Sequence, residues 1–320
     1  MDSLEKINLE SQLLDIYKHV FIETGFSKRF SEVINTSRRK KDILVIGAHP
    51  RNGKSWCVRD LVLNSGRYKS YDGKTYLPII AIQAPDSKNS NQIVRDMCRC
   101  FGKFKLSTID DMKNWLIDNI PVFGVEQLII DDAHELNQDH FKFIKWFNDK
   151  LILEKNYDIS IVFVSIMGNN KITTWQKLSQ YQGETWTQQL YERFSVPYQV
   201  YGLSPEEVTQ VLFDYEGIYT DFMPKIQLIQ YSRYIWGWLT NPKLDIHGTG
   251  RVAMAHISKL LYESARIACI HNNLSDIPLD LLFHVFKIHL LKKDTVYFND
   301  QETNYKPGKY NKKQIDQSVG

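Results

Sequence analysis

The sequence has few cysteines and none of the spacings that organise a disulfide framework or a zinc site. Its 320 residues contain four cysteines: Cys57, Cys98, Cys100 and Cys269. Cys98 and Cys100 could supply half of a metal site, but no second Cys/His pair follows at ligand spacing. We therefore expect free, mostly buried thiols in a reducing compartment.

Long apolar runs and a strong charge excess are also lacking. No run approaches the ~20 residues that a membrane-spanning helix needs, and Met1–Glu5 begins an acidic amphipathic segment instead of a signal peptide. We expect a cytoplasmic protein without a membrane partner. A net charge of +3 neither predicts nor excludes a nucleic-acid partner, so any basic surface must be argued from local clusters.

What the chain does have is an alternation of strand and helix patterns. Short apolar, β-branched runs predict five buried strands, and segments of helical periodicity separate them. This alternation predicts an α/β fold whose parallel sheet is covered by helices on both faces. The predicted strands are Ile43–Ile46, Ile79–Ile82, Leu128–Ile130, Ile159–Val164 and a weaker Tyr198–Tyr201. The predicted helices between them are Ser55–Leu63, Ser90–Cys100, Ile109–Asn119 and Asp139–Leu153.

Composition and periodicity divide the chain into four parts. Residues 1–40 form an N-terminal helical segment, with a short helix over Ser27–Ile34 and a basic hinge at Arg38–Lys41. Residues 41–202 form the α/β domain. Residues 203–294 show only helical periodicity, which begins with a capping box at Ser204-Pro205-Glu206-Glu207. Residues 295–320 are mostly polar and predict a flexible tail.

One segment between the first strand and the next helix has the form of a phosphate-binding P-loop. In such a loop backbone N–H groups converge on the phosphates, the lysine reaches the β- and γ-phosphates, and the hydroxyl ligates Mg²⁺. The usual first glycine is replaced by Ala48, which is tolerable unless Ala48 must take a positive φ. The alternative is a Gly-Lys-Ser helix cap in an unrelated turn. The expected ATP-binding residues are Ala48, His49, Pro50, Arg51, Asn52, Gly53, Lys54, Ser55 and Trp56.

Two acids follow the third predicted strand, in the form of a Walker B segment. Asp131 would hold Mg²⁺ together with Ser55, and Asp132 would polarise the attacking water. The second position usually carries Glu, and the shorter Asp sets its carboxylate about an ångström further away. Such a misplacement can cost on the order of a hundredfold in rate, so we predict slow hydrolysis. The alternative is a pair of strand-end acids that cap the next helix.

The phosphate loop and four segments, the first of which contains the paired acids, resemble the TnsC/TniB branch of AAA+ ATPases, the regulators of bacterial and CRISPR-associated transposition. The resemblance covers roughly residues 40 to 270. It implies an AAA+ P-loop NTPase fold, with an αβα nucleotide-binding domain over residues 41–202 and a smaller all-α lid domain over residues 203–294. The four segments are Gly124–Leu136, Ile161–Ser165, Leu190–Phe194 and Gly248–Val252.

The resemblance also implies three further site residues. Ser165 takes the sensor-1 position near the γ-phosphate, although a strand-end serine bonded to the backbone is an equal alternative. Arg193 takes the place of the arginine finger that reaches the ATP of a neighbouring subunit. Arg251 takes the sensor-2 position, in contact with the nucleotide of its own chain. For both arginines the alternative is an exposed surface residue.

Partners follow from the same resemblance. It implies a homo-oligomer or filament around duplex DNA, a transposase of the TnsB or TnsAB type and a TniQ-like target-selection adaptor. A basic cluster after the second strand supports contacts to the DNA backbone, although a solvated helix face is the alternative. The expected DNA contacts are Arg99, Lys103, Lys105 and Lys113. Two other functions stay open: a helicase-loader-like or initiator-like AAA+ ATPase, and an ATP-gated assembly scaffold with little hydrolysis.

Overall fold

The computed structural model describes residues 3–69, 71, 73–102, 108–168, 171–181, 183–271, 274–291 and 312–318. They fall into two compact units. The α/β unit comprises Ser27–Pro50 and Lys54–Val200, and the helical unit comprises Met1–Phe26, Arg51–Gly53 and Tyr201–Gly320. The two N-terminal helices, which the sequence groups into one segment, are thus divided between the units.

The α/β unit is built on the five parallel strands that the sequence predicts. In the sheet they follow the order β4-β5-β6-β1-β8, and every neighbouring pair in that order is parallel. All residues of β1 and β5 are buried, as the continuous apolar runs require. The strands of this unit are β1 (Ile43–Ala48), β2 (Tyr68–Lys69), β3 (Thr75–Tyr76), β4 (Ile79–Gln83), β5 (Gln127–Asp131), β6 (Ser160–Gly168), β7 (Lys171–Ile172) and β8 (Tyr198–Val200).

Two short antiparallel hairpins accompany the five parallel strands. The pair β2–β3 is antiparallel and separate from the main sheet. The strand β7 turns back on the end of β6, with Met167 opposite Ile172. Neither hairpin is predicted from the sequence, because two-residue strands carry no periodicity.

Helices connect the strands of the α/β unit, and the four predicted between the strands are confirmed with end shifts of at most three residues, whereas α2 extends six residues beyond its predicted end at Ile34. The helix α5 begins at a capped N-terminus, where Thr108 accepts from Asp111 N. The helix α6 begins with a capping box formed by Asn137 and His140. The helices are α2 (Gly25–Lys40), α3 (Lys54–Ser65), α4 (Asn91–Arg99), α5 (Ile109–Val122), α6 (Gln138–Lys155), α7 (Thr173–Gln180) and α8 (Thr185–Tyr191).

The basic hinge expected at Arg38–Lys41 is wrong, because residues 38–40 form the last turn of α2. A buried hydrogen-bond network holds this turn against the sheet. Gln127 Nε2 donates to the Ile34 carbonyl (3.0 Å) and to Ser160 Oγ (3.1 Å), and Ser160 Oγ lies 2.9 Å from Ser37 Oγ. The cations also favour a helix here, since positive charge stabilises a helix C-terminus.

The helical unit begins with α1 (Ser3–His19). Further along, the predicted capping box is confirmed: Ser204 N donates to Glu207 Oε2 (2.7 Å), and Glu207 N donates to Ser204 Oγ (3.3 Å). Two π-helical turns, Ile267–His271 and Phe286–Leu290, directly follow α11 and α12. The remaining helices are α9 (Pro205–Tyr219), α10 (Ser232–Leu239), α11 (Met254–Arg266), α12 (Leu279–Val285) and α13 (Lys312–Asp316).

Of the flexible tail predicted over residues 295–320, the structure describes only residues 312–318, which contain the helix α13. Ile315 of α13 is buried. Trp238 Nε1 donates to Ser318 Oγ (2.7 Å), and Tyr234 OH donates to Asp316 Oδ1 (2.9 Å). One buried apolar side chain and two polar contacts thus dock this short helix on α10. The polar composition of the segment does not predict these contacts.

The expectation of free, mostly buried thiols is confirmed. Cys57, Cys98 and Cys269 are buried and Cys100 is half-buried, and all four are free. Burial raises the pKa of Cys57 to about 12, so this thiol is unreactive at neutral pH. Among the described residues, no group of three or more His, Cys, Asp or Glu side chains is arranged to hold a metal ion.

The described helices are too short or too polar to cross a membrane.

Docking of α13 predicts a stability effect in a segment that composition assigns to a flexible tail. Replacing Ile315 by Ala should lower the free energy of unfolding by roughly 2 kcal/mol, because a buried Ile-to-Ala change typically costs 2–5 kcal/mol and this site is peripheral. Urea unfolding followed by tryptophan fluorescence measures the effect. Lys313→Ala, on the exposed side of the same helix, should change stability by less than about 0.5 kcal/mol. Equal effects of the two variants would contradict docking.

Candidate nucleotide-binding site

The phosphate loop leaves the buried end of β1. Ala48 is a fully buried strand residue and does not have a positive φ, so the replacement of the usual glycine places no strain on the backbone. The preceding glycine has its own reason. A Cβ on Gly47 would lie 2.6 Å from Ile172 Cγ1. A larger residue at this position would therefore collide with the side chain of Ile172 in β7.

The tip of the loop turns through two left-handed residues, Arg51 at φ 67° and Gly53 at φ 89°. For arginine this conformation costs roughly 1–2 kcal/mol, and two contacts hold it. The Arg51 carbonyl accepts from Ala255 N (3.1 Å), and Arg51 Nη1 lies 3.1 Å from His256 Nε2. The strained residue is therefore fixed at both its backbone and its guanidinium.

The lysine of the loop is buried where phosphates are expected. Lys54 Nζ donates to the carbonyls of Ala48 (3.2 Å) and His49 (3.3 Å). Burial lowers the pKa of Lys54, while Asp131 and Asp132 oppose this shift. An ammonium held over loop carbonyls and facing two acids can exchange these contacts for phosphate oxygens.

The two motifs meet at the carboxyl edge of the sheet. The Ser55 hydroxyl, in the first turn of α3, lies close enough to the carboxylate of Asp131, which ends β5, to influence its pKa. Burial raises the pKa of Asp131, and the Ser55 hydroxyl and the hydrogen bond from Asp132 N (2.9 Å) lower it. A neighbouring hydroxyl and carboxylate form an all-oxygen donor pair, which suits a hard cation such as Mg²⁺.

The second acid is held in a fixed position by a residue that sequence reasoning missed. Asp132 takes the left-handed conformation at φ 51°, which Asp tolerates better than most residues. Its Oδ2 accepts from Gln83 Nε2 (3.0 Å). Gln83 pairs with Asp131 in the sheet, so it ends the strand next to β5. Its signal in the sequence is a polar residue directly after the buried run Ile79–Ile82.

The contacts of Ser165 match the alternative role, that of a serine bonded to the backbone. It is fully buried inside β6 and lies opposite Gly47 in the sheet. Thr174 N donates to Ser165 Oγ (3.2 Å), and the two hydroxyl oxygens are 2.9 Å apart. The hydroxyl therefore joins β6 to α7, and its sensor role stays a prediction.

Arg193 lies at the other end of the sheet. Ile43 N donates to the Arg193 carbonyl (3.4 Å), and Ser195 N donates to the Ile43 carbonyl (2.8 Å), so Arg193 lies beside the first residue of β1. Its guanidinium donates to Asp149, which also accepts from Lys145 Nζ (2.6 Å). Burial alone would raise the pKa of Asp149, but the hydrogen bonds from Lys145 and Arg193 lower it below its usual value.

Comparison with known proteins supports the fold described above. A family model described as an AAA domain matches residues 37–169. The chain is similar in structure to the ORC2 protein of Aeropyrum pernix, with a TM-score of 0.59 and 11% identity over 85% of this chain and 71% of that one. It is also similar to Cdc6p of Pyrobaculum aerophilum, with a TM-score of 0.56 and 16% identity over 82% and 67%. No curated protein sequence matches.

The chain has the AAA+ P-loop fold. In the AAA domain, β1 carries the phosphate loop and β5 carries the paired acids, with β6 between them. The similar structures are less than 25% identical to this chain, so they establish the fold and leave the site residues to be argued from their own contacts.

Arg251 precedes the part of the helical unit that packs on the loop tip. Leu203 and Val252 form an isolated antiparallel bridge, and Leu203 N donates to the Val252 carbonyl (2.8 Å). A Cβ on Gly202 would lie 2.6 Å from that carbonyl oxygen and 3.1 Å from Asn52 Oδ1. Arg251 itself is exposed. Its predicted contact with nucleotide stays a prediction.

The predicted DNA contacts are described only in part. Lys103 and Lys105 lie outside the described residues. Arg99 is paired with Asp96 (2.6 Å), and Lys113 is paired with Asp110 (3.3 Å), each within its own helix. Lys113 Nζ also lies 5.8 Å from the centre of the Trp146 ring. These pairs satisfy the two described cations locally and do not by themselves indicate DNA.

The contact between Arg51 and His256 predicts a pH effect. Burial, together with the positive charges of Arg51 and Lys259, lowers the pKa of His256 to about 4, whereas an unfolded imidazole titrates near 6.5. The unfolded chain therefore binds this proton more readily. The free energy of unfolding should fall as pH drops from about 6.5 to 4, by on the order of 3 kcal/mol from this residue.

His256→Gln keeps a hydrogen-bonding group without the titration. Urea unfolding at several pH values should give a shallower slope for His256→Gln than for the wild type between pH 6.5 and 4. His19→Gln, on an exposed histidine, is the matched control and should keep the wild-type slope. Parallel curves for the wild type and His256→Gln would show that His256 does not titrate as described.

Proposed function

We propose that this chain binds ATP with Mg²⁺ and hydrolyses it slowly. The observation that carries the proposal is the proximity of the Ser55 hydroxyl to the carboxylate of Asp131, because it brings the phosphate loop to the acid of β5. The buried ammonium of Lys54 faces the same acids. The similar ORC2 protein of Aeropyrum pernix was solved with ADPNP and ADP, which supports a nucleotide as the ligand here.

Ser55 and Asp131 would hold Mg²⁺, directly or through water, and the ion would neutralise charge on the phosphates. Lys54 would leave the carbonyls of Ala48 and His49 to bind phosphate oxygens. Asp132 would orient the attacking water. Its hydrogen bond with Gln83 competes with that task, which supports slow turnover together with the short side chain.

Substitutions at the phosphate loop and at the second acid separate binding from turnover. Lys54→Ala should abolish ATP binding, measured by calorimetry, because no other described side chain replaces its charge at the loop carbonyls. Asp132→Asn should keep binding and lower phosphate release at least about tenfold. Asp132→Glu should raise turnover, because the longer side chain brings the carboxylate closer to the water.

Glu135→Gln is the matched control, since Glu135 is an exposed acid three residues further on. It should change turnover by less than about twofold. An unchanged or lower rate for Asp132→Glu would contradict the explanation by side-chain length. Tight ATP binding by Lys54→Ala would contradict the site itself.

Arg193 is proposed to act on the nucleotide of a neighbouring subunit. It lies beside the first residue of β1, whereas the phosphate loop follows the last residue of that six-residue strand. At ~3.3 Å per residue the two ends are about 17–20 Å apart, too far for an arginine side chain. A role in catalysis therefore requires a second subunit, which would have to compete with Asp149 for the guanidinium.

The wider function that we propose is an ATP-dependent switch that assembles on duplex DNA and regulates transposition. The resemblance to TnsC/TniB ATPases supports it, with a TnsB or TnsAB type transposase and a TniQ-like adaptor as proposed partners. The structural similarity to ORC2 and Cdc6p favours the second candidate, an initiator-like or loader-like AAA+ ATPase. Pull-down with purified transposase and adaptor distinguishes them, since only the first candidate predicts ATP-dependent capture.

Assembly and the trans role of Arg193 can be tested together. Lys54→Ala subunits lack the ATP site but carry Arg193, and Arg193→Ala subunits have the opposite defect. Each variant alone should be inactive with duplex DNA and ATP, and an equimolar mixture should recover a measurable part of the wild-type turnover. Electron microscopy of the same samples should show rings or filaments.

The control is Arg233→Ala, at an exposed arginine of the helical unit, which should be active without mixing. A mixture that stays inactive while rings or filaments form would contradict the trans role of Arg193. A monomer under all conditions would contradict assembly, while leaving the nucleotide site intact.

A further inference from the structure

The hairpin of β2 and β3 is anchored at its base and exposed at its tip. The rings of Tyr68 and Tyr76 stack with centroids 5.3 Å apart. Tyr76 packs on Gly124, where an added Cβ would lie 2.6 Å from Tyr76 Cδ1. At the tip, Tyr71 is fully exposed, and Lys74 is exposed as well. A single exposed ring is common on protein surfaces, so Tyr71 becomes informative only together with the cations around it.

The hairpin adjoins the end of α4. Arg67 Nη2 donates to the Cys100 carbonyl (3.3 Å), which brings the hairpin beside Arg99. Residues 66–76 and 95–100 contain five cations and two acids, so their surplus of three equals the net charge of the whole chain. The cations are Arg67, Lys69, Lys74, Arg95 and Arg99, and the acids are Asp72 and Asp96.

We propose that this hairpin contacts the phosphate backbone of duplex DNA, through Lys69 and Lys74, with Tyr71 against the sugar-phosphate chain. The inference rests on the proposed DNA function and names a surface for it that sequence reasoning missed. Both lysines are exposed on the hairpin, and exposed ammonium groups bind phosphates without reading sequence. If every subunit of an assembly presents this hairpin, several weak phosphate contacts act together and raise the overall affinity for DNA.

The test is the salt dependence of binding to a fluorescent duplex of mixed sequence, measured by anisotropy with a non-hydrolysable ATP analogue. Removing two phosphate contacts should lower the slope of log K against log salt concentration by about 2 per subunit, since each contact contributes about 0.9. The variant is Lys69→Gln combined with Lys74→Gln. Tyr71→Ala should weaken binding several-fold and leave the slope unchanged, because a tyrosine releases no counterion.

A matched control combines Lys225→Gln with Lys243→Gln, two exposed lysines of the helical unit, and should keep the wild-type slope. Circular dichroism and ATP affinity check that each variant is folded. A wild-type slope in the hairpin variant overturns this inference and leaves the DNA function standing. No salt-dependent binding by the wild type overturns both. Loss of assembly with DNA binding retained identifies a protein contact and overturns the inference.

Discussion

Parallel pairing of buried strands is the constraint on which the candidate site depends. Because every neighbouring pair in the order β4-β5-β6-β1-β8 is parallel, the carboxyl ends of all five strands lie on one edge. The phosphate loop, Asp131 and Gln83 each follow or end one of these strands, so they meet although they are distant in sequence. The same pairing sends Arg193 to the opposite edge, beside the start of β1. One geometric rule thus separates the residues proposed to serve this chain's nucleotide from the one proposed to serve a neighbour's.

Two residues of the proposed mechanism are occupied by partners within the chain. Asp132 accepts from Gln83, and Arg193 is bound to Asp149. In the proposed mechanism Asp132 orients water, and its Oδ1 remains able to accept a hydrogen bond while Oδ2 accepts from Gln83. Arg193, by contrast, would have to leave Asp149 before it could reach the nucleotide of another subunit. The contact between Arg193 and Asp149 is thus the one that the proposed switch would have to break.

Local sequence patterns predicted the strands well, because a buried parallel strand is a short apolar run with turn residues at each end. The capping box at Ser204 was equally readable, since it depends on residues three apart. The last turn of α2 at residues 38–40 and the helix within residues 312–318 of the predicted tail (residues 295–320) escaped prediction for a common reason. Both segments are polar by composition, and their order comes from a few contacts to distant partners, Gln127 and Ser160 in one case and Trp238 in the other.

The sequence by itself determined which chemistry is available: a lysine and a hydroxyl after one buried strand, and two acids after another. These are local features, fixed by residue type and by the period of the strand. Only the tertiary structure decided how each group is held. It buried Ser165 against Thr174, placed Gln83 on Asp132, and fixed the strained Arg51 through His256. Such contacts join residues up to 205 positions apart, and no local pattern records them.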